Sequence, residues 1–167
     1  ESAEASSYTT EAQSGVAAQQ SESKVFLGGT AGSAKPEGSV GLGVIGAGLF
    51  ANGTLLPAMK GLNTLSRRGI AARTGLQVRH TGKKFAFQYC TTEPRDLLND
   101  PDVDLVTVLT RHDSHAGHVI EALEAGKHVF VEKPLAIDEG QLRSISEAYR
   151  GSRSEGDRGP LVMVGFN

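Results

Sequence analysis

From Val40 onward, short apolar runs alternate with stretches of helical periodicity. The runs occupy residues 41–45, 69–72, 88–90, 105–109, 129–131 and 161–164. Several are almost continuously apolar, which is typical of strands that are buried on both faces of a sheet. This regular alternation predicts an α/β fold, namely a doubly wound parallel sheet with helices on both faces.

The stretches between the runs carry helix signals. An apolar face over residues 55–62 is interrupted by Pro57, which is expected to kink or restart that helix. A second face over residues 119–123 is followed by Gly126, a residue typical of a helix C-terminus. Residues 138–141 begin with Asp and end with Gln, which resembles a capping box. Weaker helical patterns occupy residues 77–84 and 94–99.

Residues 1–38 differ from the rest of the chain. They are rich in Ser, Ala, Gln, Glu and Gly, so they offer little apolar surface to offset the entropy lost on ordering. We interpret them as a flexible linker or disordered tail before a domain over residues 39–167. An added edge strand at residues 25–27 is the alternative. Because the first residue is Glu1, the chain is interpreted as a processed or excised piece.

Composition narrows the classes of function. The formal net charge of −2 indicates neither a nucleic-acid footprint nor a membrane-binding basic patch. No apolar run approaches the roughly 20 residues of a membrane span, and no signal-peptide pattern follows the N-terminus. Cys90 is the single cysteine, which favours a reducing compartment, and we expect a cytoplasmic protein.

A glycine-rich turn follows the first strong strand. Residues 46–51 read Gly-Ala-Gly-Leu-Phe-Ala and fit the G-x-G-x-x-G/A pattern between a strand and a helix. Gly46 would permit the tight turn, Gly48 would let the backbone approach a pyrophosphate, and Ala51 would let the helix pack closely. The alternative is an ordinary turn between a strand and a helix that needs small residues and binds no nucleotide. Five further predicted strands alternate with helices, so the pattern favours a dinucleotide-binding Rossmann domain. Leu49 and Phe50 are also expected to contact the dinucleotide.

The end of the second predicted strand lacks the usual acidic residue. An NAD site commonly has Asp or Glu there for the ribose hydroxyls, whereas residues 71–75 read Ala-Ala-Arg-Thr-Gly. Arg73 or Arg79 could meet a 2′-phosphate instead, and Thr74 lies beside them. The cofactor is therefore predicted to be NADP or NAD, with a slight preference for NADP. Two solvated surface arginines are the alternative.

The fifth predicted strand ends in a more specific motif. Residues 125–134 read Ala-Gly-Lys-His-Val-Phe-Val-Glu-Lys-Pro, which resembles the A-G-K-x-V-x-x-E-K-P signature of the Gfo/Idh/MocA oxidoreductases. The resemblance extends over roughly residues 40–167 and includes the glycine-rich turn, residues 100–104, residues 121–123 and the closing Val-Gly-Phe-Asn.

This resemblance implies roles for the residues at the motif. Lys133 would lie beside the nicotinamide and contact the substrate, and is the predicted catalytic residue. Glu132 would help to hold the cofactor on the side of the nicotinamide ribose. Pro134 would follow a cis peptide bond, and Asn167 would belong to the cofactor site. The position supports this interpretation, since ligands bind outside the carboxyl ends of parallel strands. A solvated lysine at a strand end is the alternative.

The fourth predicted strand ends in a variant of a family motif. The family commonly has T-P-N-x-x-H, and here Thr110 and His115 match while Arg111 and His112 replace Pro and Asn. The four residues are expected at the cofactor. The variant also resembles a subset of the family fused behind a zinc-type alcohol-dehydrogenase-like module. His112, His115 and His118 are spaced by three, but without cysteines or paired carboxylates we predict no metal site.

The family resemblance implies a hydride transfer between a nicotinamide cofactor and a sugar, cyclitol or related polyol. A second, substrate-binding domain would follow residue 167, so the piece alone is expected to be inactive. Its expected ligand is a nicotinamide dinucleotide. The small-molecule substrate would be bound through the other domain, and homo-oligomers are a further expectation. The alternatives are a non-catalytic nucleotide-binding or redox-sensing module, and a domain whose nucleotide site is crowded by Phe50.

Overall fold

A computed structural model describes residues 23–28, 34–153 and 159–166. Within those ranges, seven strands form one sheet in the order β1-β4-β3-β2-β5-β6-β7. The strands are β1 Val25–Phe26, β2 Val40–Ile45, β3 Leu65–Ala71, β4 Tyr89–Thr91, β5 Leu105–Val108, β6 His128–Val131 and β7 Val162–Val164. The strands β2 to β7 pair in parallel with one another, and their order is that of a dinucleotide-binding Rossmann sheet. The predicted fold is confirmed.

The helices lie between the strands, as the alternation predicted. They are α1 Leu56–Ala58, α2 Gly75–Lys84, α3 Arg95–Leu98, α4 His115–Glu124 and α5 Glu139–Gly151. The predicted interruption at Pro57 is present, since a π-helical turn over Ala51–Leu55 leads into α1, and α1 is followed by a 3₁₀ turn over Met59–Gly61. Another 3₁₀ turn, His112–Ser114, leads into α4.

The predicted helix boundaries agree with local hydrogen bonding. Gly126 has a φ of +71° just after α4, a conformation that costs glycine little. The Asp138 carboxylate accepts a hydrogen bond from the Gln141 backbone N–H at 2.8 Å and caps α5. In return the Gln141 side chain accepts from the backbone N–H of Ile137 at 3.1 Å.

The flexible segment predicted through residue 38 is wrong at Val25 and Phe26. These residues form β1, which pairs antiparallel with Cys90 and Tyr89 of β4, and the Leu27 N–H donates to the Gln88 carbonyl at 2.8 Å. Without β1, the outer edge of β4 would leave backbone groups unpaired, so the added strand satisfies them. Residues 1–22 and 29–33 lie outside the described residues.

Two apolar clusters fill the two sides of the sheet. One is built largely from β5, β6, α4 and α5, with Val106, Val108, Val129 and Val131 at most 1% exposed. The other contains Leu42, Val44, Leu56 and Val78, with residues of the glycine-rich turn. Strands buried on both faces explain the continuous apolar runs in the sequence.

A buried polar cluster lies near the amino ends of β4 and β5. The Tyr89 hydroxyl donates to the Asp100 carboxylate at 2.9 Å, and Arg68 lies 3.5 Å from the same carboxylate and 3.0 Å from Asp102. Burial and the neighbouring Asp100 charge raise the pKa of Tyr89 far above its usual value. This cluster is remote from the strand ends that carry the predicted site.

Candidate functional site

The two glycines of the glycine-rich turn are needed for different structural reasons. Gly46 has a φ of +111°, and a Cβ there would lie 2.6 Å from the Leu109 carbonyl oxygen. A Cβ on Gly48 would meet no atom within 4 Å, so this part of the turn faces open space. Ala51 is fully buried against the sheet. The turn therefore has the open backbone face that a dinucleotide pyrophosphate requires.

The main cavity opens beside this turn and has a volume of about 580 Å³, within the usual range for small-molecule sites. It lies at the carboxyl ends of β2, β3 and β5. Its lining includes the predicted residues Gly46, Gly48, Leu49, Phe50, Thr110 and Arg111. Phe50 forms part of the wall of this cavity.

A second cavity, of about 230 Å³, adjoins the first. The two share Phe50, Leu109 and Thr110 in their walls. The remaining lining residues of the second cavity are His112, His115, Glu132 and Lys133. The structure thus brings together the motifs that follow β5 and β6, on one side of the glycine-rich turn.

The end of β6 carries the predicted catalytic segment. Lys133 is exposed at the second cavity, and the peptide bond between Lys133 and Pro134 is cis, which confirms that expectation. The Glu132 carboxylate lies over the backbone of Gly165, where a Cβ would come within 2.8 Å of it. Asn167, predicted at the cofactor, lies outside the described residues.

His115 is buried between the two strand-end loops. Its Nδ1 lies 2.8 Å from the Pro134 carbonyl oxygen, and its Nε2 lies 3.1 Å from the Thr110 carbonyl oxygen. The ring is 0% exposed and packs edge-on to His112 at 5.7 Å between centroids. This residue therefore supports the loops and lies at the back of the second cavity.

The end of β3 separates the two arginines that the sequence left as alternatives. Arg73 is exposed and lines the main cavity, whereas Arg79 lies on α2 and lines neither cavity. Arg79 is close enough to Cys90 to oppose the effect of burial, which raises the pKa of the thiol. Thr74, the residue before α2, also lies outside both linings, as do Ala51 and Pro134.

Several lining residues were not among the predicted site residues. The main cavity is also lined by Gln77, Thr92, Pro94, Asp113, Ser114 and His118. Gln77 stands on the helix after Arg73, and Thr92 follows β4, so both positions are reached only once the strand order is known. Ser114 donates to the Thr110 hydroxyl at 2.8 Å, a local contact that the i, i+4 spacing after β5 could have indicated.

The described residues contain no group of three or more metal-binding side chains. His118 instead lies 3.5 Å from the Glu121 carboxylate, one helical turn away. None of the helices among these described residues is long and apolar enough to cross a membrane.

Comparison with known sequences agrees with this geometry. The family described as an oxidoreductase family with an NAD-binding Rossmann fold matches residues 40–166. The chain belongs to the Gfo/Idh/MocA oxidoreductase family. The predicted family resemblance is confirmed, and the glycine-rich turn and the Glu-Lys-Pro segment of this Gfo/Idh/MocA domain both fall within the match.

Relatives of the domain include sugar and inositol dehydrogenases. It is 32% identical over 130 residues to the uncharacterized oxidoreductase YrbE of Bacillus subtilis, covering 78% of this chain and 35% of that protein. It is 34% identical over 133 residues to the inositol 2-dehydrogenase of Gluconacetobacter diazotrophicus, covering 77% of this chain and 37% of that protein. The chain therefore spans little more than a third of the length of these relatives.

Solved structures of family members share the fold. A levoglucosan dehydrogenase in complex with NADH and L-sorbose superimposes with a TM-score of 0.64 and 27% identity, over 75% of this chain and 34% of that one. A 3-ketoreductase from Actinomadura kijaniata in complex with NADP superimposes with a TM-score of 0.66 and 32% identity, over 75% of this chain and 38% of that one. These structural neighbours of the Gfo/Idh/MocA domain include both an NADH and an NADP complex.

Proposed function

We propose that this Gfo/Idh/MocA domain binds the dinucleotide of an enzyme that transfers hydride to or from a hydroxyl-bearing carbon of a sugar, cyclitol or related polyol. The observation that carries the proposal is the pair of adjoining cavities, which share Phe50, Leu109 and Thr110. Together they lead from the open backbone of Gly48 to the exposed side chain of Lys133. A dinucleotide needs such a continuous path.

The domain's residues would hold the two halves of the cofactor in the two cavities. The pyrophosphate would lie at Gly48, with the adenosine toward Arg73 and Thr92. The nicotinamide half would lie at the second cavity, beside Glu132 and Lys133. When bound, the cofactor supplies the hydride acceptor or donor.

Lys133 would contact the substrate and would not serve to stabilise the fold. Its ammonium group offers three hydrogen-bond donors and sits exposed at the cavity mouth, where it can orient a substrate hydroxyl. The proton of that hydroxyl would pass to a base in another part of the protein. The inositol and levoglucosan dehydrogenases among the relatives are named for polyol-like substrates, which supports this substrate class.

The domain would act as part of a longer protein. Since the relatives are nearly three times as long as the match, we place the substrate-binding residues in a second domain and expect the isolated chain to be inactive. A cytoplasmic location and homo-oligomer formation are further parts of the proposal, which fractionation of cells and sedimentation of the full-length protein would test.

NADP is the preferred cofactor in this proposal. Arg73 lines the main cavity at the end of β3, and the residues that precede it, Ala71 and Ala72, carry no charge. A guanidinium group binds a 2′-phosphate with paired hydrogen bonds, whereas a carboxylate at this place would favour the free ribose hydroxyls of NAD.

Calorimetric titration with NADP and with NAD tests the binding proposal. Gly48→Val should abolish binding, because its side chain would enter space that is open in the structure but needed by the pyrophosphate. Gly117→Val is the matched control, since a Cβ there also meets nothing within 4 Å and Gly117 lies outside both cavities. Failure of the unaltered chain to bind either dinucleotide at millimolar concentration would overturn the proposal.

Two further variants test the preference for NADP over NAD. Arg73→Ala should weaken NADP binding by about tenfold and leave NAD binding nearly unchanged, in line with the loss of one charge-assisted contact. Arg79→Ala, which removes an exposed arginine outside the cavities, should change neither affinity. Equal losses of NADP and NAD affinity in Arg73→Ala would contradict the preference.

A non-catalytic nucleotide sensor is the second candidate. Arg111 and His112, which replace the family's usual Pro and Asn, favour it because they line the cavities where the nicotinamide would lie. Turnover of NADP by the full-length protein with a panel of polyols separates the two. Turnover that is lost in Lys133→Ala supports the enzyme, and cofactor binding without turnover supports the sensor.

A further inference from the structure

Two side-chain amides hold one carbonyl group of the glycine-rich turn. The Ala47 carbonyl oxygen accepts from Gln77 Nε2 at 2.7 Å and from Asn52 Nδ2 at 2.8 Å. The same Asn52 amide also lies 3.0 Å from the Gly48 carbonyl oxygen. The two donors come from different elements, because Asn52 belongs to the π-helical turn and Gln77 to α2.

These bonds determine which way the Ala47–Gly48 peptide unit faces. In a trans peptide the carbonyl oxygen and the N–H point in opposite directions. A flip of this unit would turn the Ala47 oxygen, with its negative end, to the side where the Gly48 N–H now points. Two amide donors on the oxygen oppose that flip, so the N–H keeps its direction without help from a ligand.

Thr81 orients one of the two amides. Its hydroxyl donates to Asn52 Oδ1 at 3.2 Å, which leaves the Asn52 amide nitrogen directed at the turn. Thr81 is 1% exposed on α2 and does not line either cavity. Thr81 would therefore affect a ligand in the main cavity only indirectly, through Asn52.

We infer that Gln77, Asn52 and Thr81 are positioning residues that hold the glycine-rich turn ready for the pyrophosphate. The inference rests on the proposed dinucleotide function and adds residues that the glycine pattern does not contain. The gain is preorganisation: a turn already in its binding conformation spends less of the interaction energy on ordering itself. Removing one of these hydrogen bonds should weaken dinucleotide binding by about fivefold, which corresponds to one ordinary hydrogen bond.

Paired substitutions at Thr81 separate positioning from stability. Thr81→Val keeps the buried shape but removes the hydroxyl, whereas Thr81→Ser keeps the hydroxyl and removes a buried methyl group. Positioning predicts that Thr81→Val binds NADP about fivefold more weakly while Thr81→Ser retains the affinity. A structural role predicts the reverse order, because Thr81→Ser should unfold at the lower temperature.

A matched control and a second site complete the experiment. Thr107→Val makes the same change at a fully buried threonine of β5 for whose hydroxyl the described residues offer no hydrogen-bond partner, and NADP affinity should stay within about twofold. Gln77→Met removes the other donor at nearly constant length and should also weaken NADP binding about fivefold. Calorimetry measures the affinities, and thermal unfolding of each variant is recorded beside them.

The outcomes distinguish this inference from the proposed function. Binding by the unaltered chain, with losses in Thr81→Val and Gln77→Met but not in Thr81→Ser or Thr107→Val, supports the positioning role. Binding by the unaltered chain with equal affinity in Thr81→Val and Thr81→Ser overturns that role alone. No binding by the unaltered chain overturns the dinucleotide function, and the positioning role with it.

Discussion

The buried ring of His115 lies 2.8 Å from the carbonyl oxygen of Pro134 and thereby connects the start of α4 to the loop that carries Lys133. Its other ring nitrogen faces the Thr110 carbonyl oxygen, and that loop lines both cavities. Carbonyl oxygens only accept hydrogen bonds, so each contact needs a ring N–H, and a neutral imidazole has one. In its neutral form His115 therefore donates to one of the two loops that border the second cavity and packs against the carbonyl oxygen of the other.

His115→Phe should lower the free energy of unfolding by about 1–3 kcal/mol, because the ring volume is kept while a buried carbonyl group loses its donor. Urea denaturation measures the change. His80→Phe, at an exposed position of α2, is the control and should stay within about 0.5 kcal/mol. A His115→Phe protein as stable as the unaltered chain would show that the two contacts contribute nothing.

Gly46 and Gly48 should respond oppositely to alanine. Gly46→Ala places a Cβ 2.6 Å from backbone at a positive φ, so we expect a loss of at least about 2 kcal/mol in unfolding free energy. Gly48→Ala meets no protein atom and should leave stability within about 0.5 kcal/mol while weakening NADP binding. Chemical denaturation and calorimetry on both variants check this, and equal stability of the two would contradict the geometry.

Asp104 should make the domain less stable in acid. Burial works to raise the pKa of its carboxyl group, but hydrogen bonds from Lys35 and the Gly41 N–H, with the charges of Lys35 and Lys127, lower it overall. A lowered folded pKa means that the stabilisation is present above the unfolded value of about 4 and is lost as the pH falls through the folded value.

Asp104→Asn should therefore flatten the acid side of the stability profile. At pH 7 the loss should be at most about 1 kcal/mol, because the side chain is 33% exposed and solvent weakens its ion pair with Lys35. Urea denaturation between about pH 3 and about pH 7, a range that spans the usual carboxyl pKa of about 4, measures the change in slope. An unchanged slope below that pKa would rule out this contribution.

Leu27 should anchor β1 to the domain. Its side chain is half-buried in the cluster on one face of the sheet, and a Cβ on Gly82 would come within 2.4 Å of its Cδ1. Leu27→Ala should cost about 1–2 kcal/mol of unfolding free energy, less than a fully buried leucine. Leu76→Ala, 83% exposed on α2, should cost nothing measurable. Equal effects would mean that β1 does not stabilise the sheet.

Local patterns were sufficient for much of the fold. Apolar runs located six of the strands because buried strands need continuous apolar residues, and the caps at Gly126 and Asp138 agree with hydrogen bonds made within a few residues. Pro57 interrupted its helix as expected, since proline has no N–H to donate. The two-residue β1 was only the alternative prediction, because its partner, β4, is more than 60 residues away and its own segment has a polar composition.

The sequence by itself determined the Rossmann alternation, the glycine-rich turn and the family motif that contains Lys133, because each depends on residues close together in the chain. Only the tertiary structure decided that Arg73 and not Arg79 lines the cavity, since that depends on where α2 begins and which way it faces. It also decided that Gln77 bonds to Ala47, 30 residues earlier. Such contacts form when the sheet places distant strand ends side by side, which no local pattern records.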